Sequence, residues 1–138
     1  MASSAAGYSG TPLVKKLGLR AGMTVQVIDA PAPYDEIVEG LPADLRLVAR
    51  ASATTRFVHV FVREAARLLG TLTTLREKLP SDATVWVSWP KKVSGVATDI
   101  SENTVRELAL PLGFVDVKVC AIDATWSGLK LVVRKALR

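Results

Sequence analysis

Short β-branched runs alternate with helical patterns through the middle of the chain. The runs Met23–Asp29, Phe57–Val62 and Ala83–Trp89 are rich in Val, Ile, Phe and Trp, which is typical of buried strands. Between the last two runs, leucines recur at three- and four-residue steps over residues 68–79, and Pro80 ends the pattern. This spacing predicts a long amphipathic helix. Strands that alternate with helices in this way predict a parallel sheet.

Two shorter helices and one more strand are predicted before residue 50. Thr11 is a suitable N-cap, Pro12 favours the first helical position and Gly18 favours a helix end, so a helix is expected between them. The segment Tyr34–Leu41 has apolar residues at helical spacing and predicts a second short helix. The segment Leu45–Ala49 predicts a strand.

The last third of the chain predicts a helix followed by two strands. Ser101 is a good N-cap for a helix that reaches Leu112. Strands are expected at Phe114–Ile122 and Leu129–Val133, and the turn at residues 123–128 is too short for a helical crossover. These strands are therefore predicted to form an antiparallel hairpin. The fold class is α/β, a three-layer Rossmann-like arrangement with a mostly parallel sheet and an antiparallel C-terminal hairpin strand.

Composition narrows the class of protein. The chain has 138 residues, of which 49% are hydrophobic and 22% are charged. This composition predicts one globular domain at residues 11–138 after a flexible lead-in at residues 1–10. The net charge of +5 permits phosphate-bearing or acidic partners without requiring them. No apolar run reaches the ~20 residues of a membrane span. The single cysteine, Cys120, is expected to be a buried strand thiol, and we predict a cytoplasmic protein.

The order of elements resembles that of S-adenosylmethionine-dependent methyltransferases, shortened by at least one middle strand–helix unit. In that family the first strand ends in an acid followed by alternating glycines, and an acid after the second strand binds the ribose hydroxyls. Asp29 matches the first acid, but Pro31 and Pro33 stand where the first two glycines belong, and residues 50–52 (Arg-Ala-Ser) replace the second acid. Because proline fixes φ and has no N–H to donate, we predict no cofactor.

The whole chain is also similar to small uncharacterised bacterial proteins that form a domain family of unknown function. Three segments carry this similarity: Tyr8–Leu13, Val87–Lys92 and Thr125–Lys130. The resemblance implies no particular activity.

Polar and aromatic residues follow several predicted strands at their carboxyl ends, where open α/β sheets bind ligands. Tryptophans there would supply flat apolar faces, and lysines would supply charge for a phosphate or carboxylate. The alternative is that the tryptophans cover the sheet edge and the lysines are solvated. The predicted ligand-binding residues are Asp29, Tyr34, Trp89, Lys91, Lys92, Asp123, Trp126 and Lys130.

No catalytic or metal-binding residue is predicted. His59 is the only histidine and lies in the middle of a strand, so it is expected to be structural. Cys120 is expected to belong to the core. The small-residue loop Ser94–Asp99 is long enough for a lid or an anion cradle. The helix start after it could also hold an anion, although Ser101 is expected to cap that helix itself.

Three functions remain open from the sequence. The first is a non-catalytic methyltransferase-like domain that binds a small ligand or a protein partner. The second is a divergent S-adenosylmethionine-dependent methyltransferase, and the third is a basic module that binds nucleic acid or an acidic partner. An uncovered edge of the closing hairpin would also allow pairing with a second copy. The basic residues of the third hypothesis are Lys91, Lys92, Lys130, Arg134, Lys135 and Arg138.

Overall fold

A six-stranded mixed sheet lies at the centre of the protein in a computed structural model that describes residues 10–138. The predicted lead-in lies outside the described residues except for Gly10. Each strand lies within one position of a predicted run at both ends, apart from the last strand, which begins three residues early. The strands are β1 (Thr24–Ile28), β2 (Arg46–Val48), β3 (Phe57–Phe61), β4 (Thr84–Pro90), β5 (Phe114–Ala121) and β6 (Trp126–Val133).

The strand order is β2-β1-β3-β4-β6-β5. The first four strands of this order are mutually parallel, whereas β6 is antiparallel to both of its neighbours, β4 and β5. The hairpin therefore folds back so that its second strand lies inside the sheet and its first strand forms the edge. The predicted fold class, with an antiparallel strand from the C-terminal hairpin, is confirmed.

Helices cover the two faces of the sheet. On one face, α3 (Ala65–Lys78) and α4 (Glu102–Ala109) pack on β3, β4 and β6. On the other face, α1 (Leu13–Leu17), α2 (Tyr34–Ile37) and their following turns pack on large side chains of β3 and β4. Alternate residues of β3 therefore belong to two core clusters, one on each side of the sheet. Within residues 10–138, the longest helix falls well short of a membrane span.

Several helix ends differ from the predictions. The first helix begins after Pro12 rather than after Thr11, because the Pro12 carbonyl accepts from the N–H groups of both Lys15 and Lys16. Gly18 ends that helix in the left-handed region at φ +84°, as predicted. The second helix is a single turn and does not reach Leu41, since Val38 is already extended.

Proline and a side-chain cap set the other boundaries. The fourth helix ends at Ala109 and continues as a 3₁₀ turn over 110–112, because Pro111 has no N–H for a helical bond. Strand β4 extends one residue beyond the predicted run, so that Pro90 is its last residue and lies opposite Trp126. Strand β6 begins at Trp126 rather than at Leu129, since Asp123 Oδ1 accepts from the Thr125 and Trp126 N–H groups and shortens the turn.

The outer strand of the hairpin is irregular. The pairing of β5 with β6 shifts between Asp116 and Lys118, which leaves a β-bulge at Val117. Val117 and Val119 are exposed on this strand. Cys120, next along the strand, is half-buried rather than buried as predicted, and its partial burial raises the pKa of the thiol.

Candidate functional site

A cleft of about 440 Å³ opens at the carboxyl ends of β1 and β3. Phe61, Val62 and Val96 give it an apolar wall, and Trp126 closes one side. The rings of Phe61 and Trp126 meet edge to face with their centroids 5.3 Å apart. The cleft therefore offers a flat apolar surface at the edge of the sheet where open α/β folds bind ligands.

Charged residues form the rim of this cleft. Arg67 in the first turn of α3 donates to Asp29 Oδ2 from Nε at 3.0 Å and from Nη2 at 2.7 Å. The hydrogen bond to Asp29 is the main reason that the pKa of Arg67 is raised. Arg63 and Glu64, which follow β3, complete the rim. The carboxylate that ends β1 is thus already bound by an arginine of the same chain.

The turn that carries this acid has an unusual backbone. Asp29 has φ +56°, in the left-handed region that glycine favours and that few other residues adopt readily. Pro31 lines the cleft, and Pro33 has φ −52° immediately before α2. The turn therefore approaches the cleft with a proline ring at the position where the family resemblance implies a glycine.

These residues do not fit S-adenosylmethionine in the arrangement that the resemblance implies. The Asp29 carboxylate is paired with Arg67, and Pro31 has no N–H to donate into the cleft. Arg50 and Ala51, which stand where an acid for the ribose would be, line a groove beside α3 that shares only Arg67 with the cleft. A cofactor in the usual position would compete with Arg67 for the Asp29 carboxylate and would meet no acid for its ribose hydroxyls at residues 50–52.

A buried hydrogen-bond network anchors the same turn to the centre of the sheet. The Tyr34 hydroxyl lies 2.7 Å from His59 Nδ1, and His59 Nε2 lies 2.7 Å from Ser88 Oγ. The imidazole also stacks on Phe61, with 4.3 Å between centroids. Burial lowers the pKa of His59 to about 3 and raises the pKa of Tyr34. The ring is therefore neutral at pH 7, and His59 is a buried strand histidine with both ring nitrogens hydrogen-bonded.

Only part of the predicted ligand-binding set lines the cleft. Asp29 and Trp126 lie there, whereas the Tyr34 hydroxyl is buried against His59. Trp89 is buried in the core under α3 and α4. The Asp123 carboxylate stabilises the hairpin turn through the bonds described above.

The three predicted lysines lie in different places. The backbone N–H of Lys91 donates to the Thr125 carbonyl at 2.7 Å, and Lys92 is an exposed residue that begins a 3₁₀ turn. Lys130 lies opposite Trp86, four positions along the β4–β6 ladder from the Pro90–Trp126 pair. It lines a cavity at the amino ends of the parallel strands. The structure therefore does not bring Lys130 together with Lys91 and Lys92.

The loop that follows β4 is tied to the end of β3. Thr98 Oγ1 donates to the Arg63 carbonyl at 2.7 Å, and the Asp99 N–H donates to the same oxygen at 3.2 Å. Asp99 Oδ1 in turn accepts from the Ala65 N–H at the start of α3. Ser101 and Thr104 form a reciprocal capping box on α4. These hydrogen bonds fix the loop, which lines the cleft through Val96. The predicted cap at Ser101 is confirmed.

Sequence reasoning missed Arg67 and Phe61, whereas Val96 lies in the loop Ser94–Asp99 that it singled out. Arg67 lies 38 residues from its partner Asp29, and no local pattern connects the two. One signal was available, since the first turn of a helix after a parallel strand lies at the carboxyl edge of the sheet. Among residues 10–138, no group of His, Cys, Asp and Glu side chains is arranged to hold a metal ion.

Several solved structures with the same architecture are described as methyltransferases. A SAM-dependent methyltransferase from Aquifex aeolicus is 14% identical, covers 88% of this chain and 87% of its own, and has a TM-score of 0.67. A putative type 11 methyltransferase from Sulfolobus solfataricus is 12% identical, with coverage of 89% and 90% and a TM-score of 0.59. A ribosomal protein L11 methylase from Lactobacillus delbrueckii subsp. bulgaricus is 12% identical, with coverage of 88% and 74% and a TM-score of 0.54.

These similarities define the fold of the chain. It is the Rossmann-like fold of the S-adenosylmethionine-dependent methyltransferases, as the order of elements implied. No family model and no curated protein matches the sequence. The similarity to an uncharacterised bacterial family therefore stays a prediction.

Proposed function

We propose that this chain is a methyltransferase-like domain that binds a small ligand in the cleft beside Asp29 and does not transfer methyl groups. One observation carries the proposal. The Asp29 carboxylate, which the resemblance assigns to the cofactor, is held by two hydrogen bonds from Arg67. The prolines beside it support the same conclusion, because they replace the glycines that would let a cofactor approach the backbone.

The cleft favours a planar, partly apolar ligand. The partly exposed Trp126 lines the cleft with the buried Phe61 ring packed against it, while Arg63 and Glu64 are exposed at the rim for a polar substituent. The volume of about 440 Å³ lies within the range of small-molecule sites, roughly 300–1,000 Å³. A heteroaromatic compound with one charged group matches this lining.

Titration calorimetry with S-adenosylmethionine and S-adenosylhomocysteine tests the non-catalytic part. We expect no heat from either compound, and micromolar binding of either one would overturn the proposal. A fragment library of heteroaromatic compounds, observed by NMR, tests the ligand class. Binders are expected to shift the indole N–H signal of Trp126 and to lose affinity in Trp126→Ala but not in Lys92→Gln. A library without such binders would count against a ligand-binding cleft.

The second candidate is a divergent S-adenosylmethionine-dependent methyltransferase. It is favoured by the cleft itself, which is open at the carboxyl ends of β1 and β3 and keeps an acid at the end of β1. Mass spectrometry of the freshly purified protein separates the two candidates. A co-purified nucleoside favours the enzyme, whereas its absence together with no binding at saturating cofactor favours the first proposal.

A further inference from the structure

A second cavity lies at the opposite edge of the sheet. It has a volume of about 610 Å³ and is bounded by the first residues of three parallel strands, Thr24, Phe57 and Thr84. The turn at residues 18–24, between α1 and β1, forms another side. This cavity shares no residue with the cleft beside Asp29. No part of the function proposed above uses it.

Positive charge is concentrated at this cavity. Arg20 and Lys130 line it, and Lys118 lies directly opposite Lys130 across the β5–β6 pair. Like charges directly opposite each other on neighbouring strands are destabilising. Partial burial lowers the pKa of Lys130, and the positive charges of Lys118 and Arg20 lower it further. The fold thus keeps three cations near one another at a cost in stability.

Acidic residues do not offset these cations. Asp82 is the one carboxylate that lines the cavity, and it pairs with Arg56 at 3.1 Å. In the described part of the chain, no salt bridge joins Arg20, Lys118 or Lys130 to a carboxylate. A ligand with more than one negative charge would compensate this cluster.

Neutral donors complete the surroundings of the cavity. Thr24 and Thr84 contribute hydroxyl-bearing side chains. The Arg20 backbone N–H donates to the Met23 thioether at 3.1 Å, and sulfur is a weak acceptor. Cations, hydroxyls and an N–H of this kind together match the acceptor oxygens of a phosphate group.

We propose that the cavity lined by Arg20 and Lys130 binds the phosphate group of a small phosphorylated compound. The limited volume of about 610 Å³ favours a small molecule over a nucleic-acid strand, because a strand needs a row of cations along a groove. Lys91 and Lys92 are not among the residues that line this cavity, so the site does not extend into a basic surface that includes them.

Pyrophosphate is the probe for this site. We expect titration calorimetry in a low-salt, phosphate-free buffer to show binding, and ¹H–¹⁵N spectra to shift the amides of residues 18–24. Lys130→Met and Arg20→Gln are each expected to weaken binding by about tenfold, since each removes a charge-assisted contact. Lys78→Gln, an exposed residue at the end of α3, is the matched control and should stay within about twofold.

Circular dichroism establishes that each variant is folded before binding is compared. No heat with millimolar pyrophosphate would overturn the proposal, and so would amide shifts confined to Asp29 and Arg63. A single-stranded oligonucleotide forms the second arm of the experiment. If it binds more tightly than pyrophosphate and its affinity depends on Lys91 and Lys92, the site is part of a nucleic-acid surface and the proposal is wrong.

Discussion

The two ends of the sheet differ in whether their charged side chains are paired. At the carboxyl end, the acid of the first strand is bound by Arg67, and the turn after it is anchored by Tyr34 to a buried histidine. At the amino end, Arg20, Lys118 and Lys130 lie near one another, and none of them forms a salt bridge within residues 10–138. The acid at the end of β1 is therefore paired, whereas these three cations are not.

This contrast shows how a fold can be kept while its binding surface changes. The helices and strands match methyltransferases over nearly the whole described chain. The departures from the family pattern at the binding end are Pro31, Pro33 and residues 50–52, and such loop positions contribute little to the choice of fold. Substitutions at the two ends are therefore expected to differ in the size and the sign of their effects.

The largest effect is expected at the anchor of the carboxyl-end turn. His59→Leu leaves the buried hydroxyls of Tyr34 and Ser88 without their partner, so the free energy of unfolding should fall by about 2–4 kcal/mol. Urea unfolding measures the loss. Ser88→Ala, which removes only one contact of the ring, is the control and should cost less. A loss no greater than that of Ser88→Ala would mean that the network does not hold the turn.

Acid should weaken the same anchor. An unfolded chain protonates its histidine near pH 6.5, whereas the buried ring of His59 stays neutral down to about pH 3. The unfolded state therefore binds the proton first, and stability is lost as the pH falls below about 6.5. Between pH 7.5 and 5 the expected loss is about 2 kcal/mol. This loss of stability should be absent in His59→Gln. A loss of equal size in that variant would mean that other titrating groups cause it.

Glycines at the prolines test what closes the carboxyl-end cleft to the cofactor. The double variant Pro31→Gly/Pro33→Gly should lose about 1 kcal/mol, because glycine makes the unfolded chain more flexible. S-adenosylhomocysteine should still give no heat in calorimetry, since Asp29 remains paired with Arg67. Micromolar binding by this variant would show instead that the prolines alone exclude the cofactor.

The smallest effect is expected at the amino end, and it has the opposite sign. Lys118→Thr removes a like charge opposite Lys130, so stability should rise by about 0.5 kcal/mol. A double-mutant cycle is the control, because the gain should vanish when Lys130 is already Met. If Lys118→Thr lowers stability in both backgrounds, the repulsion between the two lysines is not significant.

The sequence predicted the frame of this protein better than its contacts. The strand Phe57–Phe61 and the helix Ala65–Lys78 follow from local hydrophobic spacing, which is fixed by the geometry of one element. The element order then limits the sheet to few topologies. The boundaries at Pro12 and Trp126 differ from prediction because caps and turn hydrogen bonds decide them.

The candidate site was less predictable. The carboxyl-edge rule correctly brought Asp29 and Trp126 to one cleft. It gave no warning that Tyr34 is turned inward to His59, because the pair lies 25 residues apart and depends on packing across the sheet. Lys130 was predicted at the carboxyl end of the parallel strands but lies at their amino end. The hairpin turn was predicted too long, so Lys130 was placed too near the start of β6.

Lys118 lies next to the β-bulge of the outer strand, where its charge also affects association between chains. An uncovered strand edge with exposed valines is a template for association between chains, and a bulge and a lysine on that strand both oppose it. The charge that costs folding stability beside Lys130 therefore favours solubility. Stability and resistance to aggregation are opposed at this one position, so a variant chosen for a higher melting temperature would be the one that precipitates first.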